Sequence, residues 1–132
     1  MLAVIDTNVL VSASINREGV PGQLVAKIRT LSLKPVLSAA IRDEYADVLR
    51  RRRFNFPRNW VDDLLADMEA LGLHIRPAPV AADNLPDPAD APFIATALAA
   101  NCPIVTGNAR HFPAECGVEI LSPAQCLARL IG

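Results

Sequence analysis

With 132 residues, 52% of them hydrophobic, and 13 basic against 14 acidic side chains, the chain has the size and composition of one globular domain and a net charge of −1. That balance excludes an overall basic footprint, so any nucleic-acid contact has to come from a local patch, and no apolar run reaches the ~20 residues of a membrane helix. Nothing reads as a targeting peptide, and the three cysteines (Cys102, Cys116, Cys126) form neither a zinc spacing nor an even disulfide set, which points to free thiols in a reducing cytoplasm.

In chain order, residues 2–5 are a short apolar run that predicts a buried strand, followed at once by Asp6. Residues 9–15 lack strand alternation and begin a helix that Gly19, Pro21 and Gly22 break. Residues 23–33 predict a second helix, with Leu24, Val25, Ile28 and Leu31 on one face. A second strand covers 35–37. Ser38 then caps a helix expected to run to about Arg52. Residues 60–71 are another amphipathic helix, stopped by Gly72, and 73–76 a third strand. The proline-rich stretch 77–88 is too short to separate domains, so one domain over 1–132 is expected. A helix over 87–100, strands over 103–106 and 118–121, and a last helix capped by Ser122, Pro123 and Gln125 complete the series. Short apolar strands alternating with helices predict an α/β fold: a parallel sheet of about five short strands with helices on both faces. Ligands of such sheets bind at the carboxyl ends of the strands, near the switch in strand order, and Asp6 stands at such an end.

Three acids stand out. Asp6 closes the first strand, where an Asx turn or helix cap is the plain alternative. Glu44 lies three residues after Ile41 and four before Val48, on the apolar stripe of its helix, and a carboxylate there must sit at the edge, be paired or meet a cation. Asp90 extends the stripe of Phe93, Ile94 and Ala97 toward the helix start, a place also suited to an acid on the helix dipole. All three project toward one side of the sheet. Clustered carboxylates repel, so a proton or a cation must join them, and oxygen-only ligands favour Mg²⁺ or Mn²⁺.

A basic run, Arg50, Arg51, Arg52 and Arg53, leads into Phe54, Phe56, Arg58 and Trp60. It reads as a solvated helix end, as a phosphate-contacting patch with aromatics for unpaired bases, or as a contact for a protein partner.

Asp6-Thr7-Asn8 after the first strand, Glu44 early in a helix, Asp87-Pro88-Ala89-Asp90 leading into Phe93-Ile94-Ala95-Thr96-Ala97, and Val105-Thr106-Gly107-Asn108 followed by Arg110-His111-Phe112-Pro113 occur in that order. In this set the chain resembles the PIN-domain family, in particular prokaryotic PIN proteins of VapC-like toxins. The resemblance implies a three-layer α/β/α fold and an Mg²⁺- or Mn²⁺-dependent endoribonuclease cutting single-stranded RNA to leave a 5′ phosphate. It implies the toxin half of a toxin–antitoxin pair, with an antitoxin protein as partner, a homodimer and no membrane. The family's first three acids map onto Asp6, Glu44 and Asp90 as catalytic and metal-binding residues. Its fourth acidic position maps onto Asn108, which is neutral, and Asp87 is a substitute acid unless it is only a helix cap. Thr7 and Asn8 are expected to hydrogen-bond around Asp6, and Thr106 to support Asn108. His111 invites a general-base reading, although a lone histidine before Phe-Pro is ordinarily structural. A haloacid-dehalogenase-like phosphatase also starts from an Asp after the first strand but wants a second Asp where Asn8 stands. A non-catalytic RNA- or protein-binding module on the same fold is the other alternative.

Overall fold

The computed structural model describes residues 1–83 and 85–131; Asn84, within the proline-rich stretch, and Gly132, the last residue of the expected domain, lie outside the described residues. Strands β1 (Leu2–Ile5), β2 (Lys34–Leu37), β3 (Leu73–His74), β4 (Ile104–Val105) and β5 (Ile120–Leu121) form one parallel sheet in the order β3-β2-β1-β4-β5. Three residues of β1 and three of β2 are fully buried, as strands covered on both faces require. Helices α1 (Thr7–Ile15), α2 (Val20–Arg29), α3 (Ala39–Leu49) and α4 (Arg58–Leu71) pack among themselves, with α6 (Pro123–Ile131) against α2. Helix α5 (Ala91–Ala100), entered through a 3₁₀ turn at Pro88–Asp90, packs on β1, β2 and β4. Successive right-handed crossovers run outward from β1 to β3 and then back to β4, which puts α5 on the opposite face and makes an α/β/α sandwich.

The expected elements are all present, with boundaries that have identifiable causes. Gly22 does not break a helix. It lies inside α2, where a Cβ would stand 2.0 Å from the Arg17 carbonyl oxygen, so its lack of a side chain lets the preceding turn pass. The second helix ends at Arg29 and does not reach residue 33. Leu31 takes a left-handed φ of 69°, and the amides of Ser32 and Leu33 turn back to the Lys27 carbonyl at 2.9 and 3.1 Å. Leu31 therefore faces solvent instead of the core, and Leu33 is buried in its place. Helix α3 ends at Leu49, so Arg51, Arg52 and Arg53 occupy the turn that follows it. The predicted caps form: Ser38 Oγ accepts from the Ile41 amide, and Ser122 and Gln125 exchange the two bonds of a capping box at 2.8 and 3.1 Å.

The core below the carboxyl edge of the sheet is anchored by Tyr45 of α3. Its ring lies 6.5 Å from that of Phe93, and its hydroxyl donates to the carbonyl of Ile5. That bond ties α3 to the last residue of β1 and so fixes α3 beside Asp6.

Candidate active site

β1 and β4 are the neighbours between which strand order reverses. Their register pairs Ile5 with Val105, so the next residues, Asp6 and Thr106, come side by side at the switch point. Thr106 Oγ1 donates to Asp6 Oδ2 at 2.7 Å and accepts the Asn108 amide at 2.9 Å; Asn8 Nδ2 is 3.4 Å away. Asp6 occupies the cap position of α1, yet its side chain makes no capping bond. The carboxylate, 7% exposed, lies between the Thr106 hydroxyl and the amides of Thr7 and Asn8, both of which favour its charged form, so a place at the helix start and a place in the site are compatible in it.

The amides of Thr7 and Asn8 favour the charged form of Asp6, in line with the expected hydrogen bonds around it, while their side chains turn to other partners. The Thr7 hydroxyl does not bond to Asp6; it donates to Glu44 Oε2. The Asn8 side chain reaches the second loop, accepting from the Gly107 amide at 3.3 Å. Thr106 supports Asn108 through the backbone amide but spends its own proton on Asp6. Thr7 begins α1 and Glu44 lies in the second turn of α3, so their contact aims Glu44 from the stripe edge toward the end of β1.

Asp90 ends the 3₁₀ turn and is 8% exposed. Its Oδ2 is buried without a hydrogen-bond partner. Asp87 caps that turn, accepting from the Ala89 amide at 3.0 Å, and stays exposed. His111, at the end of the 3₁₀ turn Ala109–His111, brings Nδ1 to 3.6 Å from Asp90 Oδ2. Asp87, Asp90 and His111 each offer one ligand atom within 4.8 Å of the others. Sequence reasoning gave His111 no required part here; the only available signal was a histidine three residues after Asn108.

The charges bear on one another. Asp90 is pushed up to about 7, first by burial and then by the charges of Asp6 and Asp87. Burial also raises the carboxyl of Asp6, against the Thr106 hydrogen bond and the amides of Thr7 and Asn8, and raises Glu44, against its bond from Thr7. The Tyr45 hydroxyl is raised well above its ordinary range by burial, with Asp6 and Glu44 adding to the effect. Asp6, Glu44 and Asp90 thus share one field although they come from three elements.

The orphaned Asp90 oxygen, in that field, is the test of whether a cation fits. A buried, partnerless carboxylate among other carboxylates is costly until a proton or cation joins it. Asp6, Glu44 and Asp90 offer oxygen donors suited to Mg²⁺ or Mn²⁺. Asn108, whose backbone amide bonds to Thr106, is half-buried and contributes no charge.

The arginines divide. Arg51 pairs with Asp47 at 3.0 Å and lies close enough to Glu44 to favour its charged form; Arg50 faces Asp62 at 3.4 Å. Arg53 sits 4.9 Å over Phe54, which stacks on Phe56 at 5.1 Å between ring centres. A cleft of about 390 Å³ is lined by Arg50, Arg51, Arg52, Asn55 and Phe56. An apolar groove of about 380 Å³ lies between Ser38–Ala40 and the segment 75–80. Neither includes Asp6, Glu44 or Asp90.

The family model described as PIN domain matches residues 3–110. That span includes Asp6, Glu44, Asp87, Asp90 and Asn108. Comparison with curated proteins and with solved structures gave no significant match. Among the described residues, no helix is long and apolar enough to cross a membrane.

Proposed function

The chain belongs to the PIN-domain family, and from that premise we propose that it is a divalent-metal-dependent endoribonuclease acting on single-stranded RNA, the toxin of a toxin–antitoxin pair. The observation that carries the reading is the buried, unpartnered Asp90 Oδ2 in the shared field of Asp6 and Glu44 at the sheet's switch point. Asp6, Glu44 and Asp90 are the residues that would hold Mg²⁺ or Mn²⁺. When bound, such an ion lowers the pKa of a water and offsets charge on a phosphate. Asp6 keeps a fixed position because its backbone continues β1 and its carboxylate is tied to Thr106. Glu44 is oriented by Thr7. Arg51, Arg52 and Arg53 contact flanking phosphates, with Arg53 and Phe56 packed on Phe54 to shape the turn that presents them. Helix α3 ends five residues after Glu44, at Leu49, roughly 7.5 Å along its axis at 1.5 Å per residue, and Arg51 lies just beyond that end. The same turn is the surface proposed for the antitoxin, and the working assembly is a homodimer.

The neutral Asn108 favours a second reading, a module that binds RNA without cutting it. One assay decides between them. Purified protein is mixed with single-stranded RNA in Mg²⁺ or Mn²⁺, in EDTA, and in EDTA followed by excess metal. The proposal expects cleavage that EDTA abolishes and metal restores, with 5′-phosphate ends. Binding without metal-dependent cleavage supports the module instead.

A further inference from the structure

A set of ligand-type side chains tighter than the Asp6–Glu44–Asp90 trio lies beside it. Asp87 and Asp90 flank the 3₁₀ turn before α5, and His111 arrives from the turn after β4. The burial of Phe112, 4% exposed, anchors that second turn and holds the preceding imidazole against Asp90. The 3.6 Å between His111 Nδ1 and Asp90 Oδ2 is too long for a hydrogen bond. It suits two donors of one ion, which at bond lengths of about 2.1 Å sit up to about 4.2 Å apart. Asp87 supplies the third atom, within 4.8 Å of both. Asp90 Oδ2 is itself buried with no hydrogen-bond partner, on a side chain 11% exposed. Native structures rarely leave such an oxygen unmatched.

We infer that His111 is a nitrogen ligand of the cation site, acting with Asp90 and Asp87, and that it makes the site prefer Mn²⁺ or Co²⁺ to Mg²⁺. The inference rests on the metal-dependent reading above and adds a donor that its three carboxylates lack. Mg²⁺ demands oxygen ligands and gives up water reluctantly, whereas imidazole nitrogen suits transition-metal ions. Asn108 removes a negative charge from the neighbourhood, and His111 replaces a donor there without replacing the charge.

The test uses the full chain and metal ions alone. Mn²⁺ binding is followed by loss of the free-ion paramagnetic resonance signal, and Mg²⁺ by competition. Nitrogen coordination is read from the spin-echo modulation of bound Mn²⁺, assigned with histidine carrying the heavy nitrogen isotope. Wild type should show histidine nitrogen coupling, and His111→Ala should lose it. Removing an outer partner typically costs ~10–100-fold in metal affinity, so losing this ligand should weaken Mn²⁺ at least about tenfold, and Mg²⁺ less. The His111 side chain is 41% exposed, so the substitution leaves the core intact. Bound Mn²⁺ without nitrogen coupling in wild type overturns the inference and leaves the proposed function standing; this arm needs no variant. So does Mn²⁺ affinity that is unchanged or higher in His111→Ala, the result expected if the imidazole is only a cationic neighbour of Asp90. Failure of wild type to bind either ion overturns both.

Discussion

Replacing Asp90 by Asn keeps the side chain's shape and removes the charge that the ligand-free site tolerates least. Asp90 is raised from its ordinary 3.8 to about 7, chiefly by burial. At ~1.4 kcal/mol per pH unit, a rise of roughly three units corresponds to at most about 4 kcal/mol. The folded state binds the proton more tightly than the unfolded chain does. The resulting stability is fully present below the unfolded value near 3.8 and is lost as pH rises through about 7. Without divalent ions, Asp90→Asn should therefore be more stable than wild type near pH 8, by roughly 2–4 kcal/mol. The two should converge as pH falls below about 3.8, where the carboxyl is protonated in the folded and the unfolded chain alike. Urea unfolding in EDTA, followed by circular dichroism at several pH values, measures the gap. Saturating Mn²⁺ should then narrow it, since a ligand at a hundred times its Kd adds about 2.7 kcal/mol to the state that binds it, and about 4.1 kcal/mol at a thousand times, enough to close it. A gap of equal size near pH 4 and pH 8, or an equal response of both proteins to Mn²⁺, refutes the assignment of Asp90 to a strained cation site.

Two further outcomes follow from the same geometry. Replacing Arg51, Arg52 and Arg53 together with Ala should weaken binding of single-stranded RNA and flatten its salt dependence, with a change in slope of about 0.7 per lost phosphate contact; an unchanged slope in a binding titration moves the turn away from the substrate. Thr106→Val keeps the shape of a residue that is 1% exposed. It leaves Asp6 Oδ2 and the Asn108 amide without their shared partner, so thermal or urea unfolding should register a loss of about 1–3 kcal/mol, and a neutral result means that water replaces the hydroxyl.

The order of elements was legible because the strands are short apolar runs and the helices carry stripes, so Asp6 at a strand end and Glu44 on a stripe could be read directly. Leu31 was misplaced because periodicity counts spacing and cannot see a backbone that turns left-handed two residues past a helix end. Nearness in sequence put Thr7 and Asn8 around Asp6, and their amides do favour its charged form, but it offered no partners for their side chains. The fold instead brings α3 and the loop after β4 within reach, 37 and about 100 residues away. His111 was opaque on the same ground. Nothing local links it to Asp90; the two meet because α5 returns across the sheet before β4 begins. Nearly all the buried hydrophobic pattern is written locally, whereas the hydrogen-bond partners of the site are set by which loops the sheet order brings together.

The central claim is that Asp6 is the fixed ligand of a metal-dependent cutting site. The most direct measurement compares wild type, Asp6→Asn and Thr7→Ala, each shown by circular dichroism to be folded, for cleavage of one single-stranded RNA in Mg²⁺ or Mn²⁺. Preparations must be free of contaminating ribonuclease, which a matched mock purification establishes. Thr7→Ala loses only the hydroxyl that orients Glu44 and should reduce the rate by the ~10–100-fold typical of an outer partner. Asp6→Asn should reduce it further, with weaker metal binding. If folded Asp6→Asn cuts as fast as wild type while cleavage remains metal-dependent, the activity resides elsewhere on the molecule and the account is contradicted.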